Sequence, residues 1–242
     1  MTAPFLALDN VAKSFRGLRA VDGVSFGVEK GSITALIGPN GAGKTTVFNL
    51  ISGMFQLDSG SVTFDGKTIS GLRPDQICAA GIGRTFQIVK PFKDMTVEEN
   101  VMVGALRATS GVEEARAEVG PLLQKFDLWK KRNLKATSLT LPDRKRLEVV
   151  RAMATKPRLL LLDEVMAGLR PTETDQMVAI FQQLNRETGL TILLIEHVMR
   201  AVMRMSQHIV VVSYGKKIAE GLPDDIVRNK DVLDCYLGEG AV

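Results

Sequence analysis

The sequence contains few cysteines and few aromatic residues. The two cysteines, Cys78 and Cys235, lie far apart and lack the CxxC spacing of a metal site. A single pair cannot build the multi-disulfide framework of a small secreted domain, so we expect the chain to fold in a reducing compartment. Aromatic residues make up 5% of the chain and hydrophobic residues 45%, so the core should consist mainly of aliphatic side chains.

The sequence also lacks long apolar runs and dense clusters of positive charge. No apolar run approaches the roughly 20 residues that a bilayer-spanning helix requires. The N-terminal segment MTAPFLALDN lacks the apolar stretch of a signal peptide. The 31 Lys and Arg residues and 27 Asp and Glu residues are interspersed and give a net charge of +4. We therefore expect neither a membrane-spanning nor a nucleic-acid-binding protein, and any function at a membrane requires docking to a spanning partner.

The chain of 242 residues is predicted to form one domain with a helical insert. Strand patterns come first, in FLALDNV, VSFGV and SITALIG, and the Asp65-Gly66 pair within SVTFDGKTI predicts a β-hairpin. The predicted division is a core of residues 1–88 and 153–222, an insert of about residues 89–152, and a tail of two short helices from residue 223 to residue 242.

Helical patterns in the insert give way to uninterrupted apolar runs. Thr96 and Glu99 form a capping box at the start of a helix. Apolar residues then recur at helical spacing from Val112 to Phe126, where Pro121 predicts a break or kink. The later runs in RLLLLDE, TILLIEH and HIVVVSY are typical of parallel strands buried on both faces. These patterns predict an α/β fold.

The segment GPNGAGKTT follows the apolar strand ITALI and precedes the helical segment VFNLIS. In this context the pattern G-x-x-x-x-G-K-[ST] predicts a phosphate-binding loop rather than a plain glycine-rich turn. Backbone N–H groups and the positive end of the helix would face a phosphate, Lys44 would reach the β- and γ-phosphates, and Thr45 would bind Mg²⁺. The candidate residues are Gly38, Pro39, Asn40, Gly41, Ala42, Gly43, Lys44, Thr45 and Thr46.

Two acids and a histidine are candidates for the chemistry. Asp163 ends the strand LLLLD and would hold Mg²⁺ through water, while Glu164 would act as general base towards an attacking water. His197 follows TILLIE and would contact the γ-phosphate and orient that water. The alternative for His197 is an ordinary polar residue between a strand and a helix, and His208 is interpreted as structural. Together with the phosphate loop, these residues indicate a nucleoside triphosphatase.

The order of GPNGAGKTT, RTFQ, LLLLDE and IEH resembles that of the ATP-binding cassette (ABC) ATPases over essentially the whole chain. The resemblance implies a P-loop NTPase core of RecA-like type, with an N-terminal antiparallel β subdomain and a helical insert. It also implies ATP and Mg²⁺ as cofactors. By the same resemblance, Gln87 would sense the γ-phosphate, contact the metal and touch the membrane partner. Phe15 would stack on adenine, unless it is an ordinary core residue.

Longer segments narrow the resemblance. Three segments are similar to ATPase subunits of branched-chain and hydrophobic amino acid importers: GIGRTFQIVKPFKDMTVEENVMVGAL, DEVMAGL and IEHVMRAV. Related urea and amide importers share much of this sequence. The implied assembly is a dimer of ATPases on two integral-membrane permeases at the cytoplasmic face of the inner membrane, fed indirectly by an external solute-binding protein. The remaining alternatives are an exporter ATPase, a non-transport ABC ATPase and a nucleotide-binding module with little hydrolysis.

The segment LTLPD stands where this family usually has the signature LSGGQ, which acts on the nucleotide held by the partner ATPase. Thr140 would replace the signature serine, Pro142 removes an N–H donor, and Asp143 adds a negative charge near a polyanion. Arg144 and Lys145 would offset that charge if they point towards it. The candidate signature residues are Leu139, Thr140, Leu141, Pro142 and Asp143.

The altered signature leads to a hypothesis of an asymmetric pair of ATPases. This chain would hydrolyse ATP with the signature of a different partner chain, while its own signature would complete a weaker site.

Arg170 in AGLR, where the family often has Asp, is a second departure from the family pattern. The apolar segment IVKPF after Gln87 predicts a groove for a short helix of the membrane subunit, and Phe92→Asp is expected to uncouple transport without loss of ATP affinity.

Overall fold

Three uninterrupted apolar runs form neighbouring parallel strands that are buried on both faces. In the computed structural model, which describes residues 3–237, these strands are β3 (Ile33–Ile37), β7 (Leu159–Asp163) and β8 (Thr191–Ile195). Successive side chains of a strand point to opposite faces. Accordingly, Leu160 packs into one hydrophobic cluster and Leu161 into the other. The predicted parallel strands RLLLLDE and TILLIEH are confirmed as β7 and β8, which pair in parallel, and HIVVVSY is confirmed as the strand His208–Ser213, which pairs in parallel with β3.

The larger sheet of the described region has the strand order β10-β9-β3-β8-β7-β6. Its other strands are β6 (Ile82–Arg84), β9 (His208–Ser213) and β10 (Lys216–Gly221). Strand β10 pairs antiparallel with β9, whereas the pairs from β9 to β6 are parallel. This arrangement places the carboxyl ends of β3, β6, β7 and β8 at one edge of the sheet.

An antiparallel sheet of order β2-β1-β4-β5 packs beside the larger one. It consists of β1 (Leu6–Phe15), β2 (Leu18–Val28), β4 (Ser59–Phe64) and β5 (Lys67–Thr68). The predicted hairpin is confirmed, because Phe64 pairs with Lys67 across Asp65-Gly66, and both turn residues have positive φ. The segment SITALIG belongs to the parallel sheet as β3 and not to this one.

Helices connect and cover the strands. They are α1 (Lys44–Ile51), α2 (Pro74–Ala80), α3 (Val97–Ala108), α4 (Val112–Lys125), α5 (Leu141–Ala154), α6 (Pro171–Thr188), α7 (Met199–Met205), α8 (Pro223–Ile226) and α9 (Lys230–Leu237). The capping box of Thr96 and Glu99 is confirmed at the start of α3. Of the break or kink predicted at Pro121, the break is wrong, since α4 continues through that residue. Pro121 is exposed, so water can satisfy the carbonyl that its missing N–H leaves without a donor.

Helices α3, α4 and α5 pack against one another in the region predicted as the insert. The two short helices predicted for the tail correspond to α8 and α9, and residues 238–242 lie outside the described residues. Between residues 3 and 237, every helix is too short or too polar to cross a bilayer.

Candidate nucleotide site

The glycine-rich segment between β3 and α1 lines a cleft of about 540 Å³. Gly38 has φ 149° and Gly43 has φ 101°, a region that disfavours residues with a Cβ atom. A Cβ atom on Gly38 would lie 1.9 Å from the carbonyl oxygen of Val212, and one on Gly43 would lie 2.4 Å from that of Ala20. Only glycine fits these two positions, because the loop backbone packs directly against these two carbonyl groups.

Lys44, the first residue of α1, holds the loop closed from inside. Its side chain is buried, and Nζ donates hydrogen bonds of 2.7 Å to the carbonyl oxygens of Gly38 and Pro39. Residues 40–46 line the cleft, together with Gln87 and Glu164. The rest of the cleft wall comes from Leu18, Arg19, Ala20, Tyr214 and Gly215. The predicted phosphate loop thus shares one cleft with two of the predicted catalytic and sensing residues.

The structure brings Glu164, Gln87 and His197 together. Glu164 follows β7, Gln87 follows β6 and His197 follows β8, so the carboxyl ends of adjacent parallel strands deliver all three. The Gln87 amide donates to Oε2 of Glu164 at 2.7 Å, and Nε2 of His197 lies 2.6 Å from Oε1. Both carboxylate oxygens of Glu164 are therefore engaged. Glu164 has φ 49°, an uncommon conformation for a residue other than glycine.

Asp163 lies beneath this cluster and is 1% exposed. Burial raises the pKa of its carboxyl group, and the Arg84 guanidinium opposes that rise. A guanidinium nitrogen of Arg84 lies 3.1 Å from Oδ2, while Oδ1 has no hydrogen-bond partner among the described residues. Arg84 also donates to Asn49 and Ser52 of the α1 region. Arg84 stands in the quoted motif RTFQ, yet the sequence reasoning gave it no role.

The second cation is Lys145 of α5, for which the sequence predicted only a role in offsetting the charge of Asp143. It is 5% exposed, and its Nζ donates to the carbonyl oxygen of Glu164 at 2.9 Å and to that of Gln87 at 3.4 Å. Lys145 therefore points into the catalytic cluster and away from Asp143. Its burial agrees with the helical spacing of α5, because Lys145 lies three and four residues before the buried Glu148 and Val149.

Phe15 ends β1 and pairs across the hairpin with Leu18. Leu18 lines the cleft, but Phe15 is not among the residues that line it. The Phe15 ring is 37% exposed and makes an edge contact with Phe55 at 5.1 Å between ring centroids. It is thus a partly exposed aromatic residue beside the cleft rather than a buried core residue.

The segment LTLPD leads into α5, with Thr140 as its N-cap residue. The Thr140 hydroxyl donates to Oδ2 of Asp143 at 2.7 Å, and Lys131 lies 2.5 Å from the same oxygen. Arg144 turns back to the carbonyl oxygens of Leu139 and Thr137. The cation that faces Asp143 is therefore Lys131, which the sequence reasoning missed. Arg170, the second departure from the family pattern, pairs with Glu173 at the start of α6.

Family models match two parts of the chain. The model described as ABC transporter matches residues 21–167, and the model described as branched-chain amino acid ATP-binding cassette transporter matches residues 216–242. Among curated proteins, the chain is 41% identical to the high-affinity branched-chain amino acid transport ATP-binding protein BraF of Pseudomonas aeruginosa, over 99% of this chain and 100% of that protein. Identity to LivG of Escherichia coli, described by the same words, is 39% over the same shares.

Solved structures agree with the sequence comparison. A nucleotide-free ATP-binding cassette from an ABC transporter matches with a TM-score of 0.88 and 32% identity, covering 96% of this chain and 98% of that chain. The ADP conformation of an ATP-binding cassette of an ABC transporter also gives a TM-score of 0.88 and 32% identity, over 98% and 100%. The predicted fold class is confirmed. The chain therefore belongs to the ABC transporter family, and it is an ATPase of that family.

Proposed function

We propose that this chain is the energy-coupling ATPase of a membrane importer, and that the importer carries branched-chain amino acids. The observation that carries the ATP-hydrolysing part of the proposal is the engagement of both Glu164 carboxylate oxygens by Gln87 and His197 beside the phosphate-loop cleft. The solute class is supported by the printed functions of the relatives BraF and LivG and by the family match at residues 216–242.

In the proposed mechanism, the residues of the chain bind the triphosphate and activate water. Lys44 and the loop amides would hold the β- and γ-phosphates. Glu164 would accept a proton from the attacking water, because a carboxylate held by two neighbours keeps one orientation towards that water. Gln87 and His197 would keep the Glu164 carboxylate and the γ-phosphate in register. Phe15 would stack on adenine from its partly exposed position beside the cleft.

Oxygen ligands for Mg²⁺ are available in the wall of the same cleft and directly beneath it. The hydroxyl of Thr45, the amide oxygen of Gln87 and the carboxylate of Asp163 are of the hard type that Mg²⁺ prefers. Oδ1 of Asp163 is buried and unpartnered within the described region, which fits a ligand or a metal-bound water at that atom. Bound there, Mg²⁺ would neutralise charge on the phosphates. We propose Thr45, Gln87 and Asp163 as its protein contacts.

The signature segment supports an asymmetric pair of ATPases. Pro142 has no N–H to offer a partner's nucleotide, and the Thr140 hydroxyl already donates to Asp143. Fewer donors at the start of α5 would give a weaker site on the opposite subunit. We therefore propose that the second ATPase is a different chain whose own signature completes the strong site over Glu164.

The proposed assembly places the whole chain, 1–242, as one cassette on the cytoplasmic face of the inner membrane. Two permease subunits would dock on it, and an external solute-binding protein would act indirectly. A groove of about 330 Å³ between the core and the helical insert supports the docking surface. Its lining includes Met54, Phe86, Val103, Arg107 and Arg151. The modest net charge of +4 supports a protein rather than a nucleic acid as partner.

The test compares two variants in the chain purified with its membrane partners. Lys44→Ala should weaken ATP binding at least about tenfold, because it removes a charged contact to phosphate. Glu164→Gln should keep ATP affinity within about twofold and lower hydrolysis at least about tenfold, as expected for loss of the general base at the stronger of two sites. Uptake of labelled leucine should fall in both. Full ATP affinity in Lys44→Ala would contradict the proposal.

Asymmetry has its own test in the same complex. Glu164→Gln in this chain and the matching Glu→Gln change in the second ATPase are compared one at a time. We expect most of the hydrolysis to disappear with Glu164→Gln and a smaller part with the change in the partner. Hydrolysis that follows only the partner's glutamate would refute the asymmetric arrangement while leaving the ATPase family assignment intact.

A further inference from the structure

Lys145 is a buried cation with no role in the proposed mechanism. It lies on α5, the helix that begins with the LTLPD segment, and is 5% exposed. Burial lowers the pKa of its ammonium group, and the nearby carboxylates oppose that effect. Burying an ammonium is costly unless charge and hydrogen-bond partners compensate. The surroundings of Lys145 should therefore contain those partners.

The compensating groups are the two catalytic loops and a buried glutamate. Nζ of Lys145 donates to the carbonyl oxygen of Glu164 at 2.9 Å and to that of Gln87 at 3.4 Å. Glu196 supplies charge from the end of β8 and is 2% exposed. Its Oε1 accepts from the backbone N–H of Met166 at 2.8 Å, while Oε2 has no hydrogen-bond partner in the described part of the chain.

These contacts fix the backbone on which the catalytic side chains stand. Glu164 has φ 49°, and such a conformation persists in a non-glycine residue only when its surroundings enforce it. The bond from Lys145 fixes the plane of the Glu164 carbonyl, and the weaker bond fixes the Gln87 peptide. The Lys145 ammonium group thus connects the loops that follow β6 and β7. The side chains of these loops, Gln87 and Glu164, are themselves hydrogen-bonded at 2.7 Å.

We propose that Lys145 is a positioning residue for ATP hydrolysis, which holds the Glu164 and Gln87 loops in register from the side opposite the nucleotide. It ties α5, the signature helix, to the hydrolytic centre of the same chain. The inference rests on the proposed roles of Glu164 and Gln87. It assigns Lys145 no contact with substrate, so its loss should change turnover more than nucleotide binding.

The experiment uses Lys145→Met, the double variant Lys145→Met/Glu196→Gln, and the control Arg146→Met. Methionine keeps the length and helix propensity of lysine without its charge or donors. The double variant also removes the buried carboxylate that Lys145→Met would leave uncompensated. Arg146 is the next cation of the same helix, but its guanidinium bonds Gln176 instead. ATP affinity, kcat and the melting temperature are measured on the chain purified with its membrane partners.

We expect Lys145→Met to lower kcat at least about tenfold with the Kd for ATP within about twofold, and Arg146→Met to leave both within about twofold. The double variant should recover the melting temperature but not kcat. The inference is overturned if Lys145→Met keeps wild-type kcat, or if the double variant regains kcat, which would make Lys145 a charge-balancing residue only. The inference would also be overturned if Lys145→Met and the double variant both lost ATP affinity and melting temperature in parallel. Absence of ATP binding in the wild type would instead refute the proposed function.

Discussion

Nζ of Lys131 lies 2.5 Å from Oδ2 of Asp143, and the Thr140 hydroxyl donates to the same oxygen at 2.7 Å. Asp143 is the third residue of α5 and is 4% exposed. The negative charge of Asp143 is therefore paired with a cation of its own chain. Burial alone would raise the pKa of the Asp143 carboxyl, but the bonds from Lys131 and Thr140 outweigh it and leave the pKa below its ordinary value.

Removing Lys131 should destabilise the start of α5. Lys131→Met takes away a charge-assisted hydrogen bond from a buried carboxylate, and the free energy of unfolding should fall by about 1–3 kcal/mol at pH 7. A carboxyl with a lowered pKa in the folded state stabilises the fold above its ordinary pKa, and this contribution disappears as pH falls through the folded value. The difference from wild type in urea unfolding should therefore be smaller at pH 3 than at pH 7.

The matched control is Lys130→Met, because the neighbouring side chain is exposed and forms no ion pair among the described residues. It should unfold like the wild type at both pH values. An equal destabilisation by Lys130→Met, or a Lys131→Met effect that is as large at pH 3 as at pH 7, would contradict the assigned ion pair.

Arg84 and Asp163 form a buried pair whose members should depend on each other. The side chain of Arg84 is 7% exposed and that of Asp163 is 1% exposed. Nη2 of Arg84 lies 3.1 Å from Oδ2 of Asp163. Arg84→Met leaves a buried carboxylate without its cation, so the free energy of unfolding should fall by about 3–5 kcal/mol. The double variant Arg84→Met/Asp163→Asn should regain a large part of that loss. Urea unfolding of both single variants and the double variant measures the coupling, and strictly additive effects would exclude it.

The main elements of the fold could be predicted because each depends on local pattern. Strands β3, β7 and β8 are buried on both faces, so their sequences are uninterrupted apolar runs. Strand β6 is only IGR and β10 is KKIAEG. Neither sequence differs enough from a loop to be recognised, and their pairing is set by neighbours that lie far away in the sequence.

The site could be predicted as far as backbone topology determines it. Glu164 and His197 follow strands that a parallel sheet aligns, so their proximity follows from the fold. The cations could not be assigned in the same way. Arg144, Lys145 and Lys131 are all long cationic side chains, so the residue type does not show which of them faces Asp143. That choice depends on how α5 packs against the Glu164 loop.

Glu196 should make the stability of the protein depend on pH. Burial raises the pKa of its carboxyl group to about 7, against the hydrogen bond from the Met166 N–H and the charge of Lys145. Between its ordinary value of 4.5 and about 7, the folded state holds a proton that the unfolded state releases. The free energy of unfolding therefore falls as pH rises through this window, by roughly 3 kcal/mol at most from this group.

Glu196→Gln keeps the shape of the protonated group and removes its titration. The melting temperature of the variant, relative to that of the wild type, should rise from pH 5 to pH 8. Thermal unfolding at several pH values in that range measures the difference. Glu220→Gln changes an exposed glutamate of β10 and should leave the pH dependence unchanged. A constant difference between Glu196→Gln and wild type would exclude Glu196 as the titrating group.

Phe86 and Phe92 should contribute unequally to docking of the membrane partner. Phe86 is 45% exposed and lines the groove, whereas Phe92 lies beside it with the Arg151 guanidinium 4.8 Å from its ring centroid. Phe86→Asp puts a charge into an apolar contact surface and should lower leucine uptake at least about tenfold, with the Kd for ATP within about twofold. The sequence alone predicts that Phe92→Asp uncouples transport. Because Phe92 lies beside the groove, Phe92→Asp should lower leucine uptake less than Phe86→Asp does, by drawing Arg151 away from Glu148.

Leu222→Asp provides the control, because Leu222 is 59% exposed and does not line the groove. Uptake and ATP binding are measured on the same membrane preparations, and recovery of the permeases with the tagged chain reports docking directly. Reduced recovery with Phe86→Asp and normal recovery with Leu222→Asp would place the contact in the groove. If Phe86→Asp loses ATP affinity in parallel with uptake, the change acts through Arg84, whose guanidinium lies 5.1 Å from the Phe86 ring centroid, and the docking assignment is wrong.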